Sequence, residues 1–302
     1  MRRMRLLICG LVFAGMAPQA EAADLGDTFL RGSNSVVNMP SGDRWSGVYF
    51  GAQAGFTNGS TDFGNSVSTL ISYILRNSVI QDQVAGWTAL NKVSTPGVSY
   101  GGFIGYNQRW DDVIIGVEAN YNRTSLKTMS ASDSLSRSIL NNTNAPAGHD
   151  YTYNMTVAAD AAVQITDMAT FRARAGWDAG IFLPYAFAGV AIGRANVSRT
   201  ATVSGTLTDS FTTTQVFTDP VTGVVTLIPV QQSVTSTLVL PGAYNDSQTG
   251  MFAYGWTAGL GMDVSVTQNL FLRAEWEWVQ FAPIKDMNVH MNTVRVGAAL
   301  KF

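Results

Sequence analysis

Charge is what this sequence has least of. Only 13% of its 302 residues are Asp, Glu, Lys or Arg, against about 25% in an ordinary soluble domain. A single cysteine, Cys9, excludes a disulfide framework, a CxxC redox centre and a thiolate metal site. Net charge is −2, so no basic surface points to nucleic acid and no such partner is expected. Past the N-terminus, no stretch is apolar over the about 20 residues that a membrane helix needs. A chain of this kind enters a bilayer only as a closed barrel, because only helices and closed barrels satisfy every backbone polar group in lipid. What the sequence does have is a hydrophobic share of 46%, with 29 Gly, 15 Phe, 10 Tyr and 7 Trp. That mix excludes a disordered chain and a coiled coil.

The N-terminus reads as an export signal. Arg2, Arg3 and Arg5 precede an apolar run from Leu6 to Ala17, and Ala20-Glu21-Ala22 supplies a small-x-small cleavage pattern. The expected organisation is a signal peptide over 1–22, a periplasmic leader over 23–43 and a barrel over 44–302. A membrane anchor is the alternative, but Pro18, Gln19 and Glu21 interrupt the apolar run too early. Cleavage discards Cys9 and leaves 16 basic and 20 acidic residues, a net of −4.

The remainder repeats an alternation of period two, the signature of strands with one apolar face. Val294, Val296, Ala298, Leu300 and Phe302 oppose Thr293, Arg295, Gly297, Ala299 and Lys301. Val48, Phe50, Ala52, Ala54 and Phe56 oppose Tyr49, Gly51, Gln53 and Gly55. The same holds for 113–122, 171–178, 254–266 and 270–278, and more weakly for 100–108. Leu183 to Gly193 is apolar on both faces and cannot be oriented. These segments make eight strands of 9–13 residues, close to the roughly 9–11 that cross a bilayer at a tilt. A soluble sandwich or lipocalin-like barrel alternates too, with the opposite polarity. Here the apolar face carries no charge in any oriented strand, and the charges collect opposite it. Aromatics cluster at the strand ends: Trp45, Trp110, Trp177, Tyr185 and Phe302 at one rim, Phe56, Tyr100, Tyr121, Trp278 and Phe281 at the other. Such rings suit the two membrane interfaces, and the expected girdle is Trp45, Trp110, Tyr121, Trp177, Tyr185, Trp278 and Phe302.

Connections alternate between short and long. Short turns lie at 109–112, 179–183 and 267–269, and long ones at Asn58 to Ser99, Lys127 to about Ala162 and Asn196 to Ala253. Outer-membrane barrels have short periplasmic turns and longer external loops. Val67, Leu70, Ile71, Ile74 and Leu75 predict a short amphipathic helix in the first loop. Residues 197–240 predict a projecting hairpin turning at Asp219-Pro220-Val221-Thr222-Gly223. The alternative adds that hairpin to the wall as a ten-stranded barrel.

Several segments carry a family resemblance. Leu30-Arg31-Gly32-Ser33, Trp45-Ser46-Gly47-Val48-Tyr49-Phe50-Gly51, Gly101-Gly102-Phe103-Ile104-Gly105-Tyr106-Asn107, Gly116-Val117-Glu118-Ala119-Asn120, Arg172-Ala173-Arg174-Ala175-Gly176-Trp177, Leu183-Pro184-Tyr185 and the stretch from Asn292 to Phe302 are similar to the Omp25/Omp31-type outer-membrane proteins of alphaproteobacteria. The resemblance implies an eight-stranded surface barrel of the OmpA/OmpX type, porin-like and monomeric, in the outer membrane of a Gram-negative cell. It implies contact with outer-membrane lipids and lipopolysaccharide, and a terminal Phe302 read by the barrel-assembly machinery. The long loops 1 and 3 depart from the shorter family members.

An eight-stranded interior is just wide enough for side chains to fill. The inward face holds Arg172, Arg174, Arg273, Arg295 and Lys301 against Glu118, Asp263, Glu275 and Glu277. Buried charges are tolerated when paired. The expected pairs are Glu118 with Arg172 or Arg174, Glu275 or Glu277 with Arg295, and Asp263 with Arg273, forming an ionic plug. A selective channel lined by the same groups is the alternative. Catalytic signals are thin. Glu275 and Glu277 read as structural rather than as an acid/base pair, and no G-x-S-x-G elbow is present. His149 and His290 read as solvated loop residues; His290-Met291 is the one imaginable haem pair. No enzyme activity, cofactor or metal is expected. Three function classes remain: a structural, surface-exposed barrel whose loops contact a host or environmental partner, a small porin, and a haemin receptor or outer-membrane enzyme.

Overall fold

Antiparallel pairing accounts for almost all of this protein. The computed structural model describes residues 44–302. The expected signal peptide, the leader and Cys9 lie outside the described residues. The elements are β1 (Gly47–Asp62), α1 (Ser68–Ile74), α2 (Gln81–Ala85), β2 (Lys92–Trp110), β3 (Val113–Thr124), β4 (Met129–Leu140), β5 (His149–Trp177), β6 (Phe182–Thr218), β7 (Val225–Thr237), β8 (Tyr244–Ser265), β9 (Leu270–Phe281) and β10 (Asn288–Lys301). Among the described residues no helix is long and apolar enough to cross a membrane.

Eight strands close a ring in the order β1-β2-β3-β5-β6-β8-β9-β10, with β10 returning to β1. Within the sheet β4 pairs with β5 and β7 with β6, both outside the ring. The wall is therefore eight-stranded, and the ten-stranded alternative is set aside. Closure matters because an open edge in hydrocarbon leaves a row of backbone donors and acceptors unpaired.

The wall is inside out relative to a soluble barrel. Phe50, Ile104, Val117, Phe171, Val190, Leu260 and Val296 are exposed on the outer face. Inward neighbours such as Glu118, Arg172 and Arg295 are buried. At the short-turn end Trp110, Trp177 and Phe302 are exposed, as is Tyr121 towards the opposite end. Trp278 is half-buried and packs edge-on against Trp256 at 4.4 Å.

Three aromatics do not face outward at the rims where the sequence placed them, two of them members of the expected girdle. Trp45, Tyr185 and Phe281 are 2%, 5% and 1% exposed and point inward. Phe281 shares the parity of Glu275 and Glu277, so it follows the ionic face. Tyr185 lies in the segment whose two faces are both apolar, where periodicity gave no direction. Trp45 precedes β1, and its indole N–H donates to the Gly180 carbonyl at 3.1 Å, drawing the ring across the short-turn mouth.

The long connections are largely strand. β5 and β6 run for 29 and 37 residues, far past the expected 9–13. The second connection, expected as a loop from Lys127, is β4 paired with the upper half of β5. The hairpin in 197–240 is present as the outer part of β6 with β7. Its turn forms where expected: the Asp219 carboxylate accepts the N–H groups of Val221 and Thr222, and Gly223 takes φ 69°. In the first connection α1 buries Leu70, Ile71 and Ile74, as the spacing predicted, and α2 was not anticipated.

These extensions enclose an apolar core of their own. Phe63, Ile71, Leu75, Ile80 and Leu90 from the first connection pack with Met129, Val157, Val203, Phe281 and Met291 from five strands. Such burial contributes about 25 cal/mol per Å², enough to hold short helices that would not persist alone. Arg199 of β6 ties the segments together from within. Its guanidinium donates to the carbonyls of Ser66 and Lys285 at 2.7 and 3.1 Å and pairs with Asp246 of β8.

Two outcomes are expected. Excising residues 210–233 should leave the barrel folded, since that hairpin lies outside the ring; retained heat-modifiable migration in mild detergent checks this. The hydrogen bond from Arg199 holds the Asp246 carboxyl below its ordinary value. A lowered value stabilises the folded form above the free Asp pKa of about 3.9, and the gain is lost as pH falls through the lowered value. Protection against hydrogen exchange across residues 63–90, taken relative to the intrinsic rate at each pH, should therefore be flat at neutral and mildly acidic pH, then fall below that point.

Candidate functional site

The lumen is the one place where this chain gathers charge, and strand register sets the gathering. Glu118 lies opposite Arg172 across β3 and β5, Asp263 opposite Arg273 across β8 and β9, and Glu275 opposite Arg295 across β9 and β10. All three neighbour pairs form. Arg172 Nε donates to Glu118 Oε1 at 3.0 Å, Arg273 Nε to Asp263 Oδ1 at 2.8 Å, and Arg295 Nε to Glu275 Oε1 at 2.8 Å.

The lumen is narrow enough for these groups also to meet across it. Arg273 Nη1 donates to Glu118 Oε2 at 2.7 Å, Arg172 Nη1 to Glu275 Oε1 at 2.6 Å, and Arg174 Nη2 to Asp263 Oδ2 at 2.6 Å. Arg174 also lies 3.4 Å from Glu118, and Glu277 pairs with Arg295 at 2.8 Å. Four arginines and four carboxylates thus form one network in which no member is more than 3% exposed. The count balances without Lys301, which the sequence reading had included. Lys301 is half-buried near the end of β10, in register with Tyr49, and is no partner in the buried network's ion pairs.

Sequence reasoning missed the rings that wall this network. The Tyr49 hydroxyl donates to Glu118 at 2.6 Å and the Tyr185 hydroxyl to Glu275 at 2.8 Å. Arg174 stacks over Tyr185 at 3.7 Å, Arg172 over Phe187 at 4.0 Å and Arg273 over Phe103 at 4.2 Å. Arg suits such sites because its planar guanidinium stacks and forks at once. A signal was present in the opposing glycines: Tyr49 sits opposite Gly105, and Tyr185 opposite Gly261. A Cβ at either glycine would come within 2.3 Å of the facing ring.

The network is closed above and below. On the short-turn side Trp45, Tyr49, Phe103, Leu183 and Phe271 form a second apolar cluster. On the other side comes a polar layer. Gln53 donates to Asn122 at 2.8 Å, Thr57 meets Thr293 at 2.8 Å, and Thr257 donates to Glu277 at 2.9 Å. Beyond it lies the capping core. Glu275 and Glu277 are thus held by arginines rather than presented to a substrate.

The two histidines lie apart, on strands rather than in loops. His149 of β5 stacks on Phe211 at 4.7 Å and contacts Asp209 at 2.9 Å. In β10 His290 is half-buried while Met291 is fully buried on the opposite face, so the two do not converge on one axis. Among the described residues no cluster of His, Cys, Asp and Glu forms a metal site.

Removing one partner strands the others. Arg172→Met leaves Glu118 and Glu275 short of a cation, at an expected cost of roughly 3–5 kcal/mol. Adding Glu118→Gln should restore part of the loss. Urea unfolding followed by tryptophan fluorescence measures both.

Comparison with known proteins gives a consistent picture. A family model described as "Outer membrane protein beta-barrel domain" matches residues 9–302. No curated protein matches the sequence. Solved structures similar to this chain include Neisserial surface protein A, at 15% identity and TM-score 0.37, covering 85% of this chain and 98% of that one. They also include Ail, the attachment invasion locus protein of Yersinia pestis, at 10% identity and TM-score 0.30, covering 85% and 99%. The outer membrane protein OprG of Pseudomonas aeruginosa gives 10% and 0.30, covering 85% and 96%. Likeness this distant carries no function across.

Proposed function

Since this chain belongs to the outer membrane protein beta-barrel family, and so resides in the outer membrane, we propose that it is a structural, surface-exposed and non-enzymatic member whose lumen is plugged. Within the family we assign it to the Omp25/Omp31 type. The observation that carries the reading is the stack inside the barrel. A balanced network of eight buried charges sits between an apolar cluster at the periplasmic mouth and an apolar cap at the other end.

A conducting pore needs hydrated, exchangeable charges along its length. Here every guanidinium already has carboxylate partners, and several also have an aromatic ring over their face. Freeing one means breaking charge-assisted bonds in a low dielectric, where such bonds are strong. The strands beyond the membrane then serve as display. The β6–β7 hairpin and the β4–β5 hairpin stand on a packed base and are free to meet a host or environmental partner. On this reading the protein works as a monomer. The barrel-assembly machinery reads the exposed Phe302, which stacks on Phe50 at 5.4 Å, and lipopolysaccharide surrounds the outer half of the wall.

Planar-bilayer recording of the purified protein tests the plug. The expected result is a quiet baseline at moderate voltage. Uniform single-channel steps that scale with protein concentration would replace this reading with a small porin.

A further inference from the structure

The outer wall carries no charge from the periplasmic rim upward until one row of the sheet. There, three cross-strand neighbours face outward together: Arg123 of β3, Asp167 of β5 and Arg194 of β6, with Phe252 of β8 next in the row. One row nearer the membrane centre lie Tyr121, Ala169, Ile192 and Tyr254 in the same register. Asp167 keeps the outward parity of Ala169 and Phe171, and the register shift between Ile165 and Asp167 then turns Ile165 inward.

Asp167 does not neutralise its neighbours by direct contact. Its two oxygens accept from the Tyr121 and Thr166 hydroxyls, both at 2.9 Å. Among the described residues neither the Arg123 nor the Arg194 guanidinium makes a hydrogen bond or a close ion pair, both acting on Asp167 only at longer range, while the Arg194 carbonyl accepts from the Thr166 hydroxyl. Two exposed guanidinium groups therefore stand on the membrane side of the wall, immediately above an interfacial tyrosine, with a local excess of positive charge. Beside Arg194 lies a notch of about 120 Å³ lined by Tyr121, Asp167, Ala169, Ile192, Arg194 and Phe252, with Arg123 on the far side of Asp167 in the same row.

We propose that Arg123 and Arg194 form a binding site for the phosphate group of an outer-leaflet lipid, with the first carbons of its acyl or sugar portion lying in the notch against Tyr121 and Phe252. The chemistry favours this occupant. Guanidinium groups bind phosphate oxygens through paired, charge-assisted bonds. Tyrosine and phenylalanine prefer the boundary between headgroup and chain. The long connections put this row on the outer-leaflet side. The site rests on the barrel's place in the outer membrane and is independent of whether the lumen conducts.

The test uses the full chain in detergent and measures binding of four probes by native mass spectrometry or thermophoresis: lipid A with both phosphates, lipid A stripped of phosphate, phosphatidylglycerol and inorganic phosphate. Variants are Arg123→Gln/Arg194→Gln and, as a control for general positive charge, Arg137→Gln on β4. Each variant is first shown to fold by heat-modifiable migration. The expected result is saturable binding of lipid A with both phosphates, stronger than that of phosphatidylglycerol; equal or stronger binding of phosphatidylglycerol overturns the outer-leaflet assignment. The double variant should weaken it about 25-fold, or about five-fold per arginine, and Arg137→Gln should leave it unchanged. Equal binding by the double variant overturns the site. Equal binding of phosphate-free lipid overturns the role of phosphate, and equal binding of inorganic phosphate overturns the role of lipid. Bilayer conductance plays no part in these readouts, so the lumen reading stands or falls separately.

Discussion

Mutual neutralisation of four guanidinium and four carboxylate groups is the condition on which this barrel depends. A wall that shows only uncharged side chains to hydrocarbon has to send its ions inward. An eight-stranded interior has no room for the water that would otherwise solvate them. Each charge must then find its counterpart among the others. Arg172 shows how closely this is met: it serves Glu118 and Glu275 while its face lies over Phe187. Networks of this kind are strong when complete and costly when broken, so the interior behaves as one unit rather than as separate pairs.

The closed wall supports a second, different piece of architecture. Beyond the membrane the protein buries apolar side chains in the ordinary way, against water. α1 and α2 supply part of that core, and the upper reaches of β4, β5, β6 and β8 supply the frame. The polarity of the sheet therefore reverses along a single strand. β5 buries Arg172 and Arg174 inside the membrane zone, but Val157 and Ile165 further out. The row of Arg123, Asp167 and Arg194 marks the border on the outer surface.

Much of the wall was legible in the sequence because period-two alternation and charge segregation are local signals. The neighbour pairs followed directly, since consecutive antiparallel strands bring Glu118 to Arg172 and Asp263 to Arg273. The pairs across the lumen, such as Arg174 with Asp263, depend on barrel diameter and tilt, which no local pattern encodes. Tyr185 was misplaced because the inner face of its segment is as apolar as the outer one, and Trp45 because a rim residue before a strand has no parity to read. The capping core was hidden for another reason. Its strands are rich in Thr, Ser and Ala and resemble loops until they are paired, and its members come from distant parts of the chain. Arg123 and Arg194 escaped notice because they lie just past the segments whose alternation was clean.

The rings laid over glycine have a consequence for how the strands find one another. Tyr49 covers Gly105, Tyr185 covers Gly261 and Phe187 covers Gly259, each directly across a strand boundary. Sliding β8 by two positions along β6 keeps every side chain on its proper face, so hydropathy alone does not forbid it. One such slide would, however, set the Tyr185 ring against Asp263, and the opposite slide would set the Phe187 ring against Thr257, so either way one ring loses its hollow. The glycines thus act as a vernier on the sheet, distinguishing alignments that greasiness and charge treat as equal.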